Sequence, residues 1–197
     1  MRCGNESGSR KNDCRGRACP CPHSIMTDSH SRTYSRKDSI RLRGFDYSWP
    51  RIYFVTVVAH DRQSKFLDKR VATTTIDCLK KLRTAARFNV YIYCLMPDHF
   101  HGLIGPGESG RTLGSICGAF KSLSTREYWS WGDGKLWQRQ FFDHIIRNQQ
   151  DFEETLEYIR LNPVRRGLVE NPADWPYTER LDYLRADGQG QALPLQK

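Results

Sequence analysis

Residues 89–104 read Asn-Val-Tyr-Ile-Tyr-Cys-Leu-Met-Pro-Asp-His-Phe-His-Gly-Leu-Ile. The first eight are mostly β-branched or aromatic, and so are suited to a strand over Asn89–Met96. Pro97-Asp98 is a turn signal, and His99–Ile104 resumes the strand pattern, so the two segments should pair antiparallel. On extended backbone, side chains two apart share a face. His99 and His101 therefore project together, and Phe100 turns the other way into a core. That pair suits a divalent ion or a phosphate, and equally a pair of ordinary strand histidines. A metal reading needs a third ligand.

Upstream, Ile52–Ala59 is β-branched and aromatic throughout and reads as a first, central strand. Asp61–Lys69 is a polar loop, and from about Arg70 to Arg87 the residues Val71, Ile76, Leu79 and Leu82 recur at helical spacing. Downstream, Gly105-Pro106-Gly107 breaks the strand, and Thr112–Trp129 is a second helix with Leu113, Ile116, Cys117, Phe120 and Leu123 as its apolar stripe. Phe142–Ile146, at least, is a fourth strand. A third helix begins near Asp151, with Asp151, Glu153 and Glu154 at its positive end. It should stop near Asn162, because Pro163 lacks the amide donor and disfavours helical geometry before it. Trp175-Pro176-Tyr177 and the polar end read as a short appendage. The order strand, helix, strand, strand, helix, strand, helix is that of an α+β domain, most simply a ferredoxin-like palm with an antiparallel sheet of four to five strands.

The formal charge of +9 is unevenly distributed: residues 1–51 carry 11 Lys and Arg against 5 Asp and Glu, and the remainder 20 against 17. A basic leader adds salt-dependent affinity for phosphates, but the body is only mildly basic. Residues 1–40 lack apolar periodicity and are expected to be a disordered, Cys-containing leader; 41–180 form the domain and 181–197 a polar tail. Of seven cysteines, Cys78, Cys94 and Cys117 fall in apolar segments as small hydrophobes, whereas Cys3, Cys14, Cys19 and Cys21 lie in the leader with His23. Cys19-Pro20-Cys21 is too tight for the usual zinc spacing. No run approaches a membrane span, and the N-terminus is polar, so a cytoplasmic protein is expected.

On the third helix Tyr158 and Asn162 are four apart and share a face, about 6 Å from one another. If that face meets the histidine strand, a hydroxyl nucleophile and a third neutral ligand stand beside the pair. For Tyr158 alone an edge-of-core aromatic is the simpler reading.

Taken together these segments resemble a family. Met-Pro-Asp-His-Phe-His-Gly at 96–102 resembles the HUH motif of single-tyrosine transposases, and Glu-Tyr-Ile-Arg-Leu-Asn-Pro-Val at 157–164 resembles the tyrosine helix of their REP-associated branch. Trp137-Gln138-Arg139, the run Asp143–Asn148, and Trp175-Pro176-Tyr177 are similar to the flanking elements, so the likeness covers about Gly44 to Tyr177. It implies an HUH palm that cleaves and rejoins single-stranded DNA beside hairpins. By that resemblance His99, His101 and Asn162 bind a divalent ion such as Mg²⁺ or Mn²⁺, and Tyr158 is the nucleophile that leaves a 5′-phosphotyrosine and a free 3′-hydroxyl. Two imidazoles favour softer ions, so manganese or zinc is also compatible. The REP-associated branch completes its site within one chain, which implies a monomer rather than a dimer with swapped tyrosine helices. Arg139, Arg147, Arg160, Arg165 and Arg166 are candidate phosphate contacts, and Trp129, Trp131, Trp137 and Phe142 candidate stacking residues. His144 and His60 are read as structural, with His144 also able to orient a phosphate. Two other readings stay open: a hairpin-binding protein that does not cleave, and an RNA-binding ferredoxin-like domain.

Overall fold

A computed structural model describes residues 51–184. The expectations for the leader, including its four cysteines, and for most of the tail lie outside the described residues. The elements run β1 Tyr53–Ala59, α1 Lys69–Ala86, β2 Asn89–Met96, β3 His99–Gly105, α2 Leu113–Tyr128, β4 Trp137–Ile145, α3 Gln149–Arg165 and β5 Thr178–Glu179. The five strands form one sheet in the order β4-β1-β3-β2-β5, with every neighbouring pair antiparallel. Its first four strands have the ferredoxin-like order, and the α+β palm expected from the sequence is present. Among the described residues no helix is long and apolar enough to cross a membrane.

Strand alternation divides the sheet into two unlike faces. Tyr53, Val55, Val57, Tyr93, Leu95 and Phe100 point to one side, where α1 and α2 close an apolar core with Leu79, Ile116 and Phe120. Phe100 is the hinge of this packing: its ring lies 5.1 Å from Phe120 and 6.4 Å from Tyr93. A Cβ at Gly102 would come within 2.7 Å of the Phe100 ring, so the glycine after the second histidine is what lets that ring lie flat along β3. Trp137 is also a core residue, stacked near Phe66 and Phe120 with its indole N–H donated to Ser124 Oγ at 2.9 Å. Cys78, Cys94 and Cys117 are buried, and burial pushes the Cys94 thiol up to about 12.

Three local expectations need correction. The segment 61–69 is not a plain loop: it holds two short 3-10 turns, the second of which drives Phe66 into the core. The third helix does not stop at Asn162. Pro163 costs it only one amide donor near its end, and Arg166 N–H still donates to the Asn162 carbonyl at 3.1 Å. Gly167, at φ +65°, supplies the left-handed turn that ends it. At the other end Asn148 caps the helix by accepting from Asp151 N–H, and Asp151 accepts from Arg147 N–H in return.

The third correction concerns the C-terminal segment, which is the sheet's edge rather than an appendage. Trp175 donates its indole N–H to the Leu95 carbonyl at 3.0 Å, and Leu95 N–H donates to Tyr177 O at 2.9 Å. Past β5, the Asp182 carboxylate accepts from Val90 N–H at 2.7 Å and from the Arg83 guanidinium. These contacts reach beyond the expected domain end at residue 180.

Candidate active site

The second face carries the candidate site. His99 and His101 project from β3 with their Nε2 atoms 3.0 Å apart, at 6 % and 3 % exposure. Each ring is held from behind. His99 Nδ1 lies 2.5 Å from Asp98 Oδ1, and His101 Nδ1 lies 2.9 Å from the hydroxyl of Thr56, its cross-strand partner on β1. A carboxylate on Nδ1 calls for an N–H there, which leaves His99 Nε2 with its lone pair. Burial, followed by the charges of His99 and Arg166, lowers the His101 pKa well below the ordinary histidine value, so this imidazole is neutral at neutral pH. For Asp98, burial acts upward, but the hydrogen bond and charge of His99, with Arg62 nearby, outweigh it and the net shift is downward.

Helix α3 crosses this face over β2 and, to a lesser extent, β3. It brings Tyr158 to the histidines: the phenol ring is 5.9 Å from the His101 ring and 5.8 Å, edge-on, from Phe54. Phe54 in turn lies 5.2 Å from His101, so Phe54, His101 and Tyr158 form one packed group. Asn162, one turn further along, is 2 % exposed. Because the helix continues past Pro163, Asn162 keeps full helical geometry and stays on Tyr158's face. The four residues singled out in the sequence are thus buried together on one side of the sheet.

Do these donors fit a divalent ion? Two imidazoles presenting Nε2 atoms at hydrogen-bond separation, each braced at Nδ1, are a chelating pair suited to a cation or proton between them. Among the described residues no group of three or more His, Cys, Asp and Glu assembles, so a third donor must be of another type; the buried Asn162 amide is of the right kind. The set fits, with Asp98 and Thr56 as the supporting shell.

The candidate arginines separate. The Arg165 guanidinium sits 5.1 Å over the Tyr158 ring and Arg166 acts electrostatically on His101, so both border the site. Arg160 is engaged with Glu157 at 2.8 and 2.6 Å, and Arg139 and Arg147 are exposed on and beside β4. His144 lies 3.4 Å from Asp151 at the opposite end of α3, and His60 pairs with Asp61 at 3.1 Å. Sequence reasoning missed Thr56 and the bracing role of Asp98. The signal for Thr56 was a lone hydroxyl within an otherwise apolar strand, one register step from a histidine.

Residues 47–162 match the IS200-like transposases, and the chain belongs to that family. Within it, the likeness runs to the REP-associated tyrosine branch. A REP-associated tyrosine transposase of Escherichia coli is 28 % identical over 130 residues, covering 64 % of this chain and 74 % of that protein. A Haemophilus influenzae protein provisionally named the same way is 28 % identical over 151 residues, covering 68 % of this chain and 81 % of its own. A solved structure described as a REP-associated tyrosine transposase bound to a REP hairpin superposes with a TM-score of 0.62 at 25 % identity, over 72 % of this chain and 82 % of that one.

Proposed function

We propose that this transposase nicks and rejoins single-stranded DNA beside hairpins, with Tyr158 as the covalent nucleophile and His99, His101 and Asn162 as ligands of a divalent ion, Mg²⁺ or Mn²⁺. The observation that carries the reading is the packing of the Tyr158 phenol against His101, whose Nε2 faces that of His99 at 3.0 Å. A protein that only bound hairpins would have no use for a buried tyrosine beside a braced chelating pair. A hairpin partner is supported by the relative seen with a REP hairpin.

Bound there, the ion would polarise the scissile phosphate and offset charge developing on it. The phenol oxygen forms a bond to phosphorus and the P–O3′ bond breaks; the phenol proton leaves and the 3′ oxygen is protonated. The products are a 5′-phosphotyrosine and a 3′-hydroxyl, with no net redox change. Reversal by a 3′-hydroxyl rejoins the strand without ATP, because the phosphodiester energy is kept in the tyrosine ester. Arg165, over the phenol ring, is placed to hold a phosphate oxygen during attack. Tyr158 packs against His101 of its own chain, so the proposed site needs no tyrosine from a second copy.

The test is to incubate the protein with hairpin oligonucleotides carrying single-stranded flanks, trap the adduct and map the DNA-linked peptide by mass spectrometry. A metal-dependent adduct on Tyr158 is expected. An adduct on Tyr128 or Tyr177, or equal yield in chelator, would remove the tyrosine or the ion from the mechanism.

A further inference from the structure

The face that bears the histidines is only half covered. Helix α3 lies on β2 and β3, while β1 and β4 continue the same surface beside it. Register fixes what stands there. His101 pairs with Thr56, and Thr56 pairs with Phe142, so the three side chains form one cross-strand row on one face. Neighbouring strands are about 4.8 Å apart, which puts Phe142 about 10 Å from His101 along the row. Thr56 between them is small and only partly buried, so the row opens from the buried His101 towards Phe142. Phe142 is 39 % exposed at its far end.

We infer that Phe142 is the stacking platform for an unpaired base next to the phosphate that Tyr158 attacks; this rests on the function proposed above. A large apolar ring left exposed on a half-open sheet face, continuous with a nucleophile, offers a π-surface to any base. Its reach matches a nucleotide whose phosphate lies beside the His101–Tyr158 pair and whose base extends over Thr56. Charge is complementary: Arg165 and Arg166 are exposed and border the site at the phosphate end. The other aromatic candidates do not share this position. Trp137 is buried in the core, Trp131 already carries the Arg70 guanidinium at 4.4 Å, and Trp129 ends α2, which packs on the Phe100 face.

The full chain carrying Tyr158→Phe, bound to a hairpin oligonucleotide with 2-aminopurine scanned along its single-stranded flank, reads stacking without cleavage. One flank position should be quenched. That quenching should persist in Phe142→Tyr and be lost in both Phe142→Ala and Phe142→Leu, since leucine keeps apolar bulk but has no ring. In the Tyr158 background, Phe142→Ala should raise KM for nicking about 5- to 150-fold, the range that one base–aromatic stack spans, with kcat little changed. Quenching at no position, or quenching that survives Phe142→Leu, overturns the inference. Nicking by the Tyr158 protein without Phe142-dependent quenching leaves the function standing and removes only the platform; Phe142-dependent quenching without nicking supports the platform and removes the cleavage.

Discussion

The two faces of the sheet are built from the same strands and obey opposite rules. On the α1/α2 face β1 contributes Tyr53, Val55 and Val57, and β3 contributes Phe100, each nearly inaccessible to water. On the α3 face the alternate positions of those strands are Phe54, Thr56, His99 and His101. The first face gains stability from area removed from water, in the order of 25 cal/mol per Å². The second gives up that gain at three positions, placing polar groups beneath or beside α3, where the buried ones must be hydrogen-bonded to avoid a desolvation cost. Asp98 and Thr56 meet that requirement for the two imidazoles. Such a costly row beside a tyrosine fits the site proposed above, and the separation by alternation keeps it apart from the core.

Substitutions across the faces should separate accordingly. Tyr158→Phe removes one oxygen and should eliminate the protein–DNA adduct altogether while leaving the thermal unfolding midpoint and hairpin affinity near those of the parent. His99→Ala and His101→Ala should likewise abolish nicking with hairpin affinity within a few fold. Phe100→Ala, one residue from each histidine but on the other face, should instead cost about 3–5 kcal/mol in denaturant unfolding. If Phe100→Ala leaves stability intact, or Tyr158→Phe unfolds the chain, the division of labour between the faces is wrong. A smaller effect is expected from the supporting shell. Thr56→Val and Asp98→Asn should each weaken ion affinity about 10- to 100-fold, measured as the Mn²⁺ concentration giving half-maximal nicking, without removing activity at saturation.

How much of this was legible beforehand follows the same division. The core face was readable because alternation and helical periodicity are local signals: β2 and β3 came from one hairpin, and Phe100 was assigned inward from its neighbours alone. The pairing of His99 with His101 was equally local. What brings Tyr158 to them is the packing of α3, which no spacing within the helix reveals and which only the likeness to transposases suggested. Errors arose where long-range bonds decide the structure. The two-residue β5 has no pattern of its own and exists through bonds to Leu95 and β2, and Phe66 is recruited from a polar stretch by Trp137. At Pro163 a general rule about helix interiors was applied near a helix end, where Gly167 was the better signal.

The smallest effect is a pH dependence that belongs to the polar face alone. His101 is held neutral inside the fold, with burial as the main cause, while an unfolded chain would titrate it near the ordinary value of 6.5. A depressed histidine pKa means that the unfolded state binds more protons below that value, so stability must fall as pH falls and recover as it rises. Stability from this group is therefore present above about pH 6.5 and is lost as pH falls below it. Asp98, whose pKa is also lowered, loses its contribution only at more acid pH, as it is protonated in the fold. Urea unfolding of the chelated protein at about pH 7.5 and about pH 5.5, set against His101→Gln, isolates the histidine: the parent should lose more stability than the variant on acidification. An equal loss in both would mean that His101 accepts its proton without unfolding, and that the row facing Tyr158 is more open to water than its 3 % exposure indicates.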